Sequence, residues 1–155
     1  MGSNSSVTDE KVIVVRAVDT RRHPGDTPES AAARLRNQTS DDEQFISKVA
    51  DYAIFNVKYV NQPYETKVKN WQNAVTTGGD CSEVARLATQ MYKSQGIDAR
   101  VVNGITGDGY LHDTVEIHHN KRIRYFDERY IPKFTKIADG FGSLEVLEPE
   151  SKNVV

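Results

Sequence analysis

Thr76-Thr77-Gly78-Gly79-Asp80-Cys81-Ser82-Glu83-Val84-Ala85-Arg86-Leu87-Ala88, residues 76–88, decides how the rest of the chain is read. A glycine-bearing turn runs into Asp80, whose carboxylate can accept from the first amides of a helix, and Glu83 stands three positions on, where it can reach back. The pattern predicts a helix opening at Cys81 and running to about Gln95, with Gly96 as its left-handed stop. Val84, Leu87, Ala88, Met91 and Gln95 share one stripe, and Cys81 lies on it one turn before Val84. The thiol is therefore expected at the rim of the core face.

Working outward, the period changes from 3.6 to 2 after Gly96. Residues 99–103 alternate, a turn follows at 107–109, and 111–118 and 121–127 read as further strands, with a last short one near 144–147. Upstream, residues 40–59 read as a helix capped by Ser40, with Asp41, Asp42 and Glu43 in its first turn and Phe45, Ile46, Val49, Ala53 and Val57 on one face. Residues 30–37 are a shorter helical candidate and 67–74 another. Val12 to Val18 reads as a strand, detached by a loop over 20–29 that contains Pro24, Gly25 and Pro28. Helices first and an antiparallel sheet after them give an α+β fold.

At 155 residues the chain is long enough for one self-sufficient core, and 27% charged against 37% hydrophobic residues is ordinary for a globular domain. A single catalytic-sized domain is expected over residues 11–150, with its core at about 40–130, a tag-like start over 1–10 and a frayed tail over 151–155. The start has neither a basic nor an apolar stretch and does not read as a signal peptide. The longest apolar runs fall far short of the ~20 residues that span a bilayer. The net charge of −2 gives no reason to expect nucleic acid or anionic lipid. A protein or peptide is the expected partner. Oligomeric state and compartment are not legible, since one cysteine forms no internal disulfide framework.

The chemistry rests on Cys81, His112 and Asp127. If His119-Asn120 forms a two-residue loop, His118 pairs with Lys121 and His112 with Asp127, Cβ atoms ~4.5–5.5 Å apart on one face. A loop at Asn120-Lys121 keeps them on the same face but diagonal, and a three-residue loop separates them. A thiolate is the nucleophile, and a helix N-terminus and an imidazolium both stabilise it. Asp127 would fix the imidazole tautomer. The Cys81 amide is a natural oxyanion donor beside the glycines, with Trp71 or Gln72 as the second donor and Tyr64 as a further residue of the cleft.

A metal site is the competing use of Cys81, His112, His118 and His119. His112 and His118 stand six positions apart, ~20 Å along an extended strand, too far to share one ion. Neither a metal nor a cofactor is expected. Asp113 shares parity with Val115 and Ile117 and is expected to face the other way in a structural role. Arg100 is expected to anchor a buried ion pair.

Gly79-Asp80-Cys81-Ser82-Glu83, then Ala85, Leu87, Met91, Gly96-Ile97, Ala99-Arg100-Val101-Val102, Gly104, His112 and Tyr125-Phe126-Asp127 closely resemble the core of the transglutaminase-like superfamily of papain-related cysteine enzymes. The resemblance covers roughly residues 40–130. It implies the α+β cysteine-proteinase fold and a Cys81-His112-Asp127 triad working through a thioester. The family's usual aromatic residue two positions after the histidine is here Thr114, a departure at the acyl site. Members cleave, deamidate or cross-link through the same intermediate. With no accessory β-domains or calcium sites in view, a compact hydrolase or protease is expected over a cross-linking acyltransferase. A binding or scaffold module that keeps the fold without turnover is the alternative.

Overall fold

The computed structural model describes residues 17–60 and 71–140. The expected strands at 12–16 and 144–147, the loop at 61–66, the first residues of the 67–74 helix and the tail all lie outside them, and Ala17 and Val18 belong to no strand.

Helix α1, Pro28–Gln38, begins earlier than its periodicity suggests. Thr27 caps it with a reciprocal Ser30 contact, and Pro28 occupies a first-turn position, where a missing N–H is no loss. Helix α2, Asp42–Asn56, is capped by Asp41, one residue past the expected Ser40. Ser40 is held instead by its amide on Gln44 Oε1 at 2.8 Å. A 3₁₀ turn, Trp71–Asn73, leads into the short α3, Ala74–Thr77.

Helix α4, Cys81–Ser94, has the expected capping box: Ser82 N–H donates to Asp80 Oδ1 and Asp80 N–H donates to Glu83 Oε1, each at 3.0 Å. It ends before Gly96, at φ +80°. The single apolar stripe understates its burial. Ser82, Glu83, Ala85, Arg86, Leu87, Ala88, Thr89, Met91 and Tyr92 are all buried, because α1, α2 and the 3₁₀ turn pack on one side and the sheet on the other. α4 is thus the central element, and Tyr92 donates its hydroxyl to the Ile46 carbonyl of α2 at 2.7 Å.

The strands β1 Asp98–Thr106, β2 Leu111–His119, β3 Arg122–Tyr125 and β4 Phe134–Asp139 form an antiparallel sheet in the order β3-β2-β1-β4. Ala99 pairs with Ile117 and Val101 with Val115, and these four buried side chains belong to the same core as the helices. β4 escapes sequence reading because it is an edge strand with almost every residue exposed, so it has no apolar alternation to detect. Its approach to β1 requires a glycine: a Cβ at Gly104 would stand 2.0 Å from the Thr135 carbonyl, beside the register shift at Asn103/Gly104.

The hairpin turns at Asn120-Lys121, both left-handed at φ 52° and 63°, as a two-residue type I′ loop demands. His119 therefore pairs with Arg122 and Glu116 with Tyr125, two residues from the partners that a His119-Asn120 loop gives, so the same side chains share a face. Phe126 continues the ladder by donating its amide to the Val115 carbonyl at 3.0 Å. His119 and Arg124 tie the hairpin to the start of α2 through Asp42 and Glu43.

Candidate functional site

Cys81 is the first residue of α4 and half-buried at the mouth of a cavity of about 250 Å³. His112 and Asp113 from β2, Phe126 and Asp127 after β3, and Ile54, Val57 and Tyr59 from α2 and the segment beyond it line the same space. Three separate stretches of chain thus meet at the sulfur.

The turn before the helix is held by a short bridge to residues 58–60: Val60 N–H donates to the Gly79 carbonyl at 2.8 Å and Gly79 N–H to the Lys58 carbonyl at 3.0 Å. That contact explains Gly78, which has φ +84° and whose Cβ would lie 2.8 Å from the Lys58 carbonyl. Gly78 serves this close packing, whereas a Cβ at Gly79 would meet the capping Glu83 side chain at 2.7 Å, and the Gly79 amide is engaged in the bridge. The amides of Gly78, Asp80, Ser82, Glu83 and Val84 are likewise engaged. Among the described residues only the Cys81 amide in this run has no acceptor, and it lies at the positive end of a helix of 14 residues.

His112 Nε2 lies 2.7 Å from Asp127 Oδ2, and Thr114 donates its hydroxyl to Asp127 Oδ1 at 2.6 Å. The observed register explains both contacts. Asp127 falls opposite Thr114 and reaches His112 on the diagonal, the second of the arrangements open from the sequence. With Nε2 engaged, Nδ1 is the ring nitrogen left for the thiol. Burial disfavours the imidazolium, but the hydrogen bonds and charges of Asp127 and Cys81 outweigh it and raise the His112 pKa to about 9. Phe134 from β4 meets the imidazole edge-on, ring centroids 6.1 Å apart.

Asp113 is placed differently from expectation. Its parity does turn it toward α4, but there it lines the Cys81 cavity. Burial pushes its carboxyl up, against the charge of Arg86 and the Ser82 hydroxyl. Arg86 is the buried arginine of this fold, 2% exposed, donating to the Ser82 carbonyl at 3.1 Å and to the Ser82 hydroxyl. Arg100, expected in that role, is 45% exposed along its side chain and only 4.0 Å from Glu116, whose nearer partners are His118 at 2.8 Å and Lys136 at 3.1 Å. The i, i+4 spacing of Ser82 and Arg86 is the signal in the sequence, and it is a weak one because an arginine on a helix ordinarily faces water.

Of the other cleft candidates, Trp71 is buried and Gln72 exposed, and neither is among the residues lining the Cys81 cavity. Tyr64 lies outside the described residues. Among the described residues no three His, Cys, Asp or Glu side chains are grouped so as to hold a metal ion, and no helix is long and apolar enough to cross a membrane.

The profile of the transglutaminase-like superfamily matches residues 29–132, covering nearly all of α1 and the whole of α4 and the β2–β3 hairpin. The chain belongs to the transglutaminase-like superfamily. Solved structures share its α+β fold: a presumed cysteine protease from Cytophaga hutchinsonii superposes with TM-score 0.59 at 18% identity, over 72% of this chain and 41% of that one. A protein described as a TGase gives 0.54 at 12% identity over 89% and 40%, and a presumed protease from Parabacteroides distasonis 0.52 at 13% over 76% and 23%. This transglutaminase-like chain spans less than half the length of each of these proteins. No curated protein matches its sequence significantly.

Proposed function

We propose that the protein is a thiol enzyme that breaks a peptide or carboxamide bond through a thioester on Cys81, with His112 as acid and base and Asp127 as the group that orients it. The observation that carries this reading is the His112 imidazole, fixed through Nε2 on Asp127 at 2.7 Å while it lines the same cavity as the Cys81 sulfur.

The Cys81 thiolate adds to the substrate carbonyl, forming the S–C bond and moving an electron pair onto oxygen, where the Cys81 amide donates. Collapse breaks the C–N bond as the imidazolium gives its proton to the leaving nitrogen. Neutral His112 then takes a proton from water, which adds to the thioester. The C–S bond breaks, releasing a carboxylic acid, which loses its proton to solvent, and restoring the thiolate–imidazolium pair. No cofactor enters these steps. Two of the solved structures described above carry protease names, which favours water over an amine as acceptor.

The test is alkylation of the intact protein by iodoacetamide. Labelling of Cys81 at least tenfold faster than a free peptide thiol at pH 7, and loss of that advantage in His112→Ala, is the expected result. Labelling no faster than a peptide thiol would overturn the assignment and favour a scaffold that has kept the fold. Mass spectrometry of treated protein substrates then separates chain cleavage from ammonia loss with amine incorporation.

A further inference from the structure

A second cavity, of about 450 Å³, adjoins the first. The two share His112, Tyr130 and Ile131, whereas Cys81 lines only the smaller. The walls of the larger are set by the 106–110 turn and the segment after Asp127, whose carbonyl accepts the amides of Tyr130 and Ile131 at 2.8 and 2.9 Å. Tyr130 is further fixed by an edge contact with Phe55 and by Arg129 over its ring. Leu111 is 81% exposed and Tyr110 71%, large apolar side chains presented to solvent at the rim of a cleft.

Cleavage at Cys81 fixes the direction of the substrate. The leaving nitrogen must take its proton from His112, so it lies against the imidazole, and whatever follows that nitrogen continues away from the sulfur. The space on that course is the cavity that shares His112 but not Cys81. The acyl half is left in the smaller cavity, walled by Ile54, Val57, Val84 and Phe126. Ammonia, about the size of a water at ~30 Å³, needs no such room. A volume of about 450 Å³ is that of a site for a ligand with side chains.

Building on the proposed thiol mechanism, we infer that Tyr110, Leu111 and Tyr130 bind the amine-side segment of a polypeptide substrate, with an apolar or aromatic residue next after the broken bond. The reaction served is then cleavage between two peptide segments, not release of ammonia from a carboxamide. By microscopic reversibility the same surface selects an amine acceptor, whose nitrogen adds to the thioester carbon, loses a proton to His112 and displaces the Cys81 sulfur.

The experiment acylates the whole protein with p-nitrophenyl acetate and lets phenylalaninamide or glycinamide compete with water for the acetyl-enzyme, products being counted by mass spectrometry. Phenylalaninamide is expected to capture the acetyl group at least tenfold more efficiently than glycinamide. In Leu111→Asp, and in Tyr110→Ser as a second variant, that preference is expected to fall to threefold or less. The preference is a ratio within each variant, so a change in acylation cancels. Equal capture of the two amines by the unaltered protein, or a preference untouched in both variants, would overturn the inference while leaving the thiol mechanism in place. Absence of a p-nitrophenol burst that depends on Cys81 would overturn both.

Discussion

Thr114 and Asp127 face each other across the β2–β3 hairpin, 2.6 Å from hydroxyl to carboxylate, and this pairing leaves the other carboxylate oxygen for His112. Thr114 is fully buried, so its hydroxyl has no water to turn to and acts as a fixed donor. Where the wider family places a bulky ring, this chain places a hydrogen bond under its carboxylate.

Replacing that donor is expected to be costly in proportion to its burial. Thr114→Val keeps the shape but strands a buried carboxylate oxygen, at about 1–3 kcal/mol. Both thermal stability and kcat/KM should fall, the latter roughly tenfold, which corresponds to about 1.4 kcal/mol. Thr114→Ser should retain most of both. Steady-state kinetics beside a thermal melt of the two variants checks this, and equal losses in Ser and Val would assign Thr114 to packing alone.

The His112 pKa gives a pH dependence with a definite sign. Its folded value, about 9, lies above the ordinary 6.5, so the imidazolium stabilises the fold fully below about pH 6.5 and the contribution disappears as pH rises through about 9. The melting temperature should decline by several degrees over that interval. Alkylation by the anion iodoacetate, drawn by the imidazolium, should slow over the same range. In Asp127→Asn both transitions should move to lower pH, readable by melts and labelling across a pH series.

Arg86 carries charge into the core, where it acts on the Asp113 carboxylate in a part of the fold that also buries the acids Asp80 and Glu83. Arg86→Met removes the cation and leaves the acids, an imbalance expected to cost about 3–5 kcal/mol. Arg86→Met with Asp113→Asn should recover part of the loss. Urea unfolding of the single and double variants measures it, and additivity of the two changes would show that the groups do not interact.

Gly104→Ala probes the sheet edge. Its Cβ would sit 2.0 Å from the Thr135 carbonyl, so β4 must shift or detach. A loss of about 2–3 kcal/mol, the upper part of the usual single-substitution range, is expected. Hydrogen exchange should show the amides of residues 134–139 deprotected first.

The legible parts of this fold are those where local chemistry and burial agree. Asp80, Glu83 and Gly96 delimit α4 by hydrogen bonds that the chain makes with itself, so they can be read without knowing any neighbour. The period-two runs around Val101 and Val115 announce β1 and β2 because one face of each is core. What could not be read depended on partners distant in sequence. The hairpin register turns on the left-handed pair Asn120-Lys121, a choice between two adjacent dipeptides of similar turn propensity. β4 has no apolar face to betray it, Arg86 looks like any exposed helical arginine until the surrounding helices are in place, and the parity of Asp113 gives its face but not that the cleft opens there. His112 beside Asp127 was legible because an even-numbered loop at either dipeptide brings them within side-chain reach.

The placement of Cys81 on α4 has a kinetic consequence. α4 is enclosed by helices on one side and strands on the other, so it belongs to the part of the molecule that opens only when everything opens. The sulfur is therefore held by the scaffold itself, with no ordering step of its own before it can react. Heat inactivation should coincide with global unfolding instead of preceding it.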